Sequence, residues 1–280
     1  MGESGELAYL LAYVNRQRGI DFSLYRHATI IRKLQLRLQA TKAVSYLAYL
    51  EYLRTHPEEI ENLLETLTIK VTSFFRDPLV FQLLSSLVLP EAMARFSPLR
   101  IWSLGCASGE EPYSLAVILR DLMNGEKEEM KVEIIGSDVD AAAIGNAVRG
   151  EYPESELAEV AKKYVDKFFQ AMPASGPKHL SYRIDDRVRA MVSFETDDII
   201  SGLRKAKNAG RKYHIILCRN LLIYMNRALQ EEVVSNIADV LCPGGYLVIG
   251  ESETLPDAIR GGFVQTFPGV KIYLRKPSSP

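Results

Sequence analysis

Cysteine is scarce in this 280-residue sequence: Cys106, Cys218 and Cys242 stand alone, with no CxxC pair. The four histidines are scattered and form no HExxH. Both facts argue against a disulfide framework or a zinc site, and a reducing cytoplasm is the expected setting. No uncharged apolar run approaches the roughly 18 residues of a membrane span. The opening MGESGELAYL lacks the basic start and apolar stretch of a secretory signal, so no export leader is expected. Internal repeats and low-complexity segments are missing. Neither sign of charge dominates: 34 Lys+Arg against 35 Asp+Glu give −1, which does not suggest bulk nucleic-acid binding. There is no GxGxxG and no Asn-Pro-Pro-Tyr-type base-flipping signature.

What is present is a core-forming composition, 47% hydrophobic and 25% charged, long enough for one large domain or a large one with a small partner. The charge is unevenly placed. Residues 1–56 hold eight Lys/Arg against four Asp/Glu, and the remainder 26 against 31. A basic front on an acidic body points to an acidic partner for the front. Residues 21–40 read as an amphipathic helix, with Leu24, Ile31 and Leu38 recurring at sevens and Arg26, Lys33 and Arg37 in a narrow arc on roughly the opposite side. Residues 44–54 and 58–67 repeat apolar residues at threes and fours, so the first 65 or so residues look all-helical.

From residue 99 the period changes. RIWSL (100–104), KVEIIGSD (131–138), MVSFET (191–196), YHIILC (213–218) and GYLVIG (245–250) are short runs rich in β-branched or aromatic residues, with helical stretches such as 112–124 and 227–241 between them. Strands alternating with helices predict βαβ units and a mostly parallel sheet. FVQTF and VKIYLR around Pro268-Gly269 read as a closing antiparallel hairpin. Residues 151–190, polar and broken at PASGP, read as an excursion from the sheet.

Ligands of open α/β sheets sit beyond the carboxyl ends of the strands. The first strand runs into GCASGEEPYS, whose glycines permit a tight turn and close approach of a ligand. A pyrophosphate at this helix start would meet Glu110 and Glu111, which repel it and favour a cationic ligand carrying an ammonium and a sulfonium. The alternative is a capping box of Ser108 with Glu111. The second strand ends in Asp138, placed to accept from two ribose hydroxyls, with Asp140 the expected helix cap. After the third strand, Asp198 beside Ile199 suits an adenine amino group and ring; the alternative is an ordinary acidic loop. The fourth strand ends Cys218-Arg219-Asn220-Leu221, with Cys218 a small buried residue. Upstream, Thr72 and Arg76 are four apart, and Arg76 is able to grip a carboxylate with two hydrogen bonds; the alternative is a linker with Arg76 paired to Asp77.

GCASGEEPYSLA, TSFFRDP, GSDVD and CRNLLIY, in this order and at these intervals, resemble the CheR-type chemotaxis receptor methyltransferases over nearly the whole chain. The resemblance implies an α/β protein: a Rossmann-like S-adenosylmethionine-dependent methyltransferase sheet (67–280) with a small inserted β-subdomain (151–190), behind a small all-helical N-terminal domain (1–66). It implies methyl transfer to glutamate side chains on the cytoplasmic domain of a chemoreceptor, leaving S-adenosylhomocysteine. Carried over by motif, Lys70, Thr72, Arg76, Glu111, Asp138, Asp198, Ile199, Asn220 and Leu221 would line the cofactor site. Arg76 would hold the methionine carboxylate or orient the substrate glutamate, and Tyr224 would help place that glutamate by a hydrogen bond. Core packing of its ring is the other reading of Tyr224. Arg26, Lys33 and Arg37 would seat the acidic receptor, or else form a solvated face. Lys70 stands where the family often has Asn, and Asp198 where Asn-Leu is common. A glutamate is already ionised at pH 7, so the reaction needs no general base, in keeping with the lack of a Ser/His/Asp or Cys/His set. The competing readings are a nucleic-acid methyltransferase and a non-catalytic S-adenosylmethionine-binding signalling module, with a dehydrogenase disfavoured by Glu110-Glu111.

Overall fold

The computed structural model describes residues 3–67, 72–123, 130–173 and 180–277. The chain divides into two compact units, Met1–Ile69 with Leu222–Glu232, and Lys70–Leu221 with Val233–Pro280. No helix among the described residues is long and apolar enough to cross a membrane.

The first unit holds α1 (Glu3–Arg18), a 3-10 turn (Phe22–Leu24), α2 (His27–Thr41), α3 (Tyr46–Thr55) and α4 (Glu59–Leu67). Ser45 starts α3 by accepting from the Ala48 N–H at 3.1 Å, an N-cap that satisfies one of the helix's orphan donors. Leu10, Val14, Ile30, Leu34, Tyr49, Leu53 and Leu63 form its core. The Leu222–Glu232 segment packs with these helices: Met225 is fully buried, the Arg26 N–H donates to the Tyr224 carbonyl at 2.8 Å, and the Asn226 N–H to that of Leu24 at 2.9 Å.

The face of α2 differs from the expected one. Ile30 and Leu34 are the buried residues, while Leu24, Ile31 and Leu38 are half-buried. Leu24 belongs to the 3-10 turn, so it cannot share a stripe with residues of α2. At 100° per residue, the buried face is rotated by roughly 80° from the stripe of sevens. That rotation carries the arc of Lys33 and Arg37 from the far side to the rim of the core. Lys33 donates its ammonium to the Thr66 and Leu67 carbonyls at 2.8 and 3.0 Å, and Arg37 grips buried Glu59 with a fork of bonds at 2.8–2.9 Å. Neither is part of an exposed docking stripe. Arg26 and Arg32 are the members of this basic stretch that stand exposed.

The second unit begins with α5 (Pro78–Leu83), which continues through a wider turn (Leu84–Val88) into α6 (Leu89–Arg95). There follow β1 (Leu99–Leu104), α7 (Glu110–Leu122), β2 (Val132–Asp138), α8 (Ala141–Arg149), β3 (Glu151–Pro153), α9 (Lys162–Phe168), β4 (Phe169–Ala171), β5 (Ser181–Ile184), α10 (Asp186–Arg189), β6 (Val192–Thr196), α11 (Ile199–Asn208), β7 (Tyr213–Cys218), α12 (Arg227–Val240), β8 (Leu241–Ile249), α13 (Asp257–Arg260), β9 (Phe263–Phe267) and β10 (Val270–Arg275). Seven strands form one sheet in the order β6-β2-β1-β7-β8-β10-β9. The first five are parallel and β10 runs antiparallel to both neighbours. Ile101, Trp102, Ser103, Ile215, Ile216 and Leu217 are at most 2% exposed, because a parallel sheet covered on both faces buries successive residues alike. The excursion carries its own antiparallel sheet, β3-β5-β4. Tyr152 on β3 is buried and donates to the Ser108 carbonyl at 2.6 Å, tying the insertion to the loop after β1. Most of the PASGP break lies outside the described residues.

Candidate active site

Strand order reverses between β1 and β7, whose outer neighbours are β2 and β8. The crevice beyond the carboxyl ends of such a pair is where an open sheet binds its ligand. The loop after β1 turns through three left-handed residues, Gly105 (φ +68°), Ala107 (φ +48°) and Gly109 (φ +95°). A Cβ on Gly105 would lie 3.0 Å from Leu221 Cδ2, so glycine is what lets the two loops close together. Of the five non-glycine residues with positive φ among those described, Phe75, Asp77, Ala107 and Asn220 all lie on these loops or on the Thr72–Pro78 segment. Such conformations cost of order 1–3 kcal/mol each and persist where surrounding contacts over-determine them.

Asp138 clasps two loops. Its Oδ2 accepts from the Ala107 N–H at 2.8 Å and its Oδ1 from the Asp140 N–H at 2.9 Å. Burial pushes this carboxyl up and nearby Asp140 adds to the effect, while the backbone N–H bonds oppose it. An ionised carboxylate offers about four lone-pair sites, and the Val139 N–H lies close enough to add to the two bonds, so Asp138 retains some, but not all, of its acceptor capacity. Asp140 itself caps α8, accepting from the Ala142 and Ala143 N–H groups at 2.9 and 3.0 Å. Asp198 caps α11, its Oδ1 accepting from the Ile200 and Ser201 N–H groups at 3.0 and 3.1 Å. Burial raises its carboxyl too. Neighbouring Asp197 is held by Lys205 at 2.7 Å.

The two glutamates of GEEPYS part company. Glu111 accepts from Ser103 Oγ at 2.7 Å and from Arg219 Nη1 at 2.9 Å. Glu110 turns inward and is 2% exposed. It accepts from Ser108 Oγ at 2.8 and 3.1 Å and from the Thr72 side chain, and burial pushes its carboxyl up to about 7. The Ser108–Glu111 capping box does not form; Ser108 serves Glu110, and α7 starts behind Gly109 without a side-chain cap. The two acids thus have different surroundings: Glu110 is buried, whereas Glu111 keeps 14% of its side chain exposed and is shared between Ser103 and Arg219.

Arg219 and Glu253, which local sequence patterns did not assign, hold the crevice together. Buried Glu253 accepts from the Asn220, Leu221 and Gly250 N–H groups at 3.1, 2.8 and 2.5 Å, which fixes the turn after β7. Arg219 donates to Glu111, to Asp77 Oδ2 at 2.6 Å and to the Arg76 carbonyl at 2.8 Å. Asp77 thus pairs with Arg219. The only signals for the two residues were a charged group abutting an apolar strand: CRN after β7 and GESE after β8.

Among the motif residues, Thr72, Arg76, Glu111, Asp138, Asp198, Ile199, Asn220 and Leu221 all belong to the second unit. Lys70 lies outside the described residues. Tyr224, half-buried, falls in the first. The Cys106 and Cys218 thiols are pushed well up by burial, which removes them as thiolate nucleophiles.

The family model described as the CheR methyltransferase all-alpha domain matches residues 5–68, and that of the CheR methyltransferase SAM binding domain matches residues 70–266. Chemotaxis protein methyltransferase 2 of Vibrio cholerae serotype O1 is 31% identical over 248 residues, 87% of this chain and 83% of its own length. The chemotaxis protein methyltransferase of Borreliella burgdorferi is 26% identical, covering 89% of this chain and 88% of its own. Among solved structures, magnesium protoporphyrin IX methyltransferase from Synechocystis PCC 6803 with bound SAM is 16% identical, with a TM-score of 0.37 over 71% of this chain and 79% of that one. The two family models together span nearly the whole sequence, and the chain belongs to the CheR methyltransferase family.

Proposed function

We propose that this S-adenosylmethionine-dependent methyltransferase forms methyl esters on glutamate side chains in the cytoplasmic region of a chemoreceptor. The observation that carries the reading is the row of carboxylates at the strand ends, Glu111 after β1, Asp138 at the end of β2 and Asp198 after β6, beside a turn at left-handed Gly105 against which Leu221 packs closely. That lining suits a ligand with ribose hydroxyls, an adenine amino group and an ammonium, and its carboxylates oppose a diphosphate. When bound, S-adenosylmethionine supplies a methyl group activated by its sulfonium.

The protein's residues bind and align. Asp138 takes the ribose hydroxyls, Asp198 and Ile199 the adenine, Glu111 the methionine ammonium, and Arg76 the methionine carboxylate, with Thr72, Asn220 and Leu221 completing the wall. Lys70 is carried by its motif position alone. The acceptor glutamate arrives ionised at pH 7, so no side chain need remove a proton. Holding donor and acceptor in line is worth roughly 7–11 kcal/mol when reacting atoms are well oriented. Tyr224 orients the acceptor carboxylate. Arg26, with exposed Arg32, attracts the acidic receptor helix, and the reaction takes place in the cytoplasm.

Incubating the protein with methyl-labelled S-adenosylmethionine and receptor-rich membranes tests the assignment. Mild base should then release volatile methanol from the receptor band, the mark of a carboxyl ester. Base-stable label, label on nucleic acid, or cofactor binding without transfer would each sink it.

A further inference from the structure

We infer that Arg219 is the positioning residue for the amino-acid half of the donor pocket, the element that holds Glu111 and the Arg76-Asp77 turn in register with each other. The inference rests on the cofactor assignment above and adds a residue to it.

The Arg219 side chain is 2% exposed, against 14% for Glu111 and 29% for Asp77. One planar cation thus serves two carboxylates and a main-chain carbonyl, drawn from α7, from the residue before α5 and from Arg76. Its guanidinium also lies 5.4 Å from the centre of the Phe81 ring on α5, and its buried Nε has no partner among the described residues. Two acids against one cation leave a single net negative charge, and the acids are the more exposed part of the cluster. The cation therefore orients the carboxylates without cancelling the attraction for an ammonium. Asp77 and Phe75 flank Arg76 in left-handed conformations. That backbone needs an external tether, and the bond from Arg219 to the Arg76 carbonyl is one. A lysine, as a single point charge, cannot fork in this way.

The prediction separates the two halves of the ligand. S-adenosylhomocysteine carries the amino-acid group, and 5′-methylthioadenosine carries the same nucleoside without it. In titration calorimetry on the full chain, Arg219→Met should weaken S-adenosylhomocysteine by about tenfold to a hundredfold, the loss expected for charged hydrogen bonds. It should leave 5′-methylthioadenosine within about twofold of the wild-type protein. Arg219→Lys should fall between, and Asp77→Asn, which leaves the buried cation paired with Glu111, should show the same selectivity more weakly. Turnover should lose apparent affinity for S-adenosylmethionine more than kcat. An equal loss for both ligands in Arg219→Lys and Asp77→Asn means general damage to the site and overturns the inference. So does unchanged or tighter S-adenosylhomocysteine binding in Arg219→Met. If the wild-type protein takes up neither ligand, it is the cofactor assignment that fails.

Discussion

Replacing Glu110 with glutamine should stabilise the protein, and most at neutral and alkaline pH. Glu110 sits at the start of α7, where a helix N-terminus favours an acid, yet burial dominates and raises its carboxyl from 4.5 to about 7. Glu156 is the charged neighbour that adds to this, and the hydroxyls of Ser108 and Thr72 oppose it. A carboxyl that binds its proton more tightly when folded costs nothing below its unfolded pKa. The cost grows as pH rises between the two values and is level above the folded one. At about 1.4 kcal/mol per tenfold change in proton affinity, ionised Glu110 costs about 3 kcal/mol above pH 7, and less than about 1 kcal/mol at pH 5. Glutamine has the shape of the neutral acid. Its carbonyl keeps both hydroxyl bonds, and its amide can donate toward Glu156. The single tryptophan, Trp102, lies buried in β1 of the same unit and reports the unfolding of that sheet by fluorescence. Urea titrations at several pH values should therefore show E110Q ahead by about 3 kcal/mol at pH 8, with the lead shrinking toward pH 5. Equal stability at pH 8, or a lead that does not change with pH, would refute the buried and proton-hungry state assigned to Glu110.

Two further perturbations test the helical unit. Arg37→Met leaves Glu59, 5% exposed, with Tyr49 and Asn62 but no cation, and breaking such a buried pair costs about 3–5 kcal/mol. Burial alone would raise Glu59, but the bonds from Arg37, Asn62 and Tyr49 outweigh it and hold the carboxyl below 4.5. The deficit should thus be full at pH 7 and fade as pH falls below the usual glutamate range; a melting shift equivalent to under about 1 kcal/mol would contradict the pairing. Reversing exposed Arg26 and Arg32 to glutamate should raise the KM for receptor without changing S-adenosylhomocysteine affinity, and the difference should narrow in high salt. An unchanged KM would remove these residues from docking.

The parallel sheet was legible because strands buried on both faces read as continuous apolar runs, and the residues just beyond them were then picked out by position alone. Asp138 and Asp198 are of this kind: each lies at or just past a strand end, and each bonds backbone N–H groups there. The basic stripe reads differently in the structure because the recurrence at sevens follows half-buried Ile31 and Leu38, whereas the buried pair is Ile30 and Leu34. The apolar face is rotated accordingly, and Lys33 and Arg37 lie at its rim. The glutamate pair failed differently, since neighbours at a helix start point about 100° apart, and a run of letters gives no hint which one is outside. Arg219 and Glu253 were beyond reach for a third reason: Glu111, Asp77 and Asn220, to which they bond, lie 108, 142 and 33 residues away, and no local period encodes such pairs. Yet these are the residues that set the strained turns at Asp77 and Asn220. The acids at the strand ends are thus written locally, after apolar runs, whereas the placement of the loops beside them is written in long-range bonds to two buried charges. It follows that substitutions at Arg219 or Glu253 should alter ligand selectivity as strongly as substitutions in the motif residues that touch the ligand, though neither side chain need ever meet it.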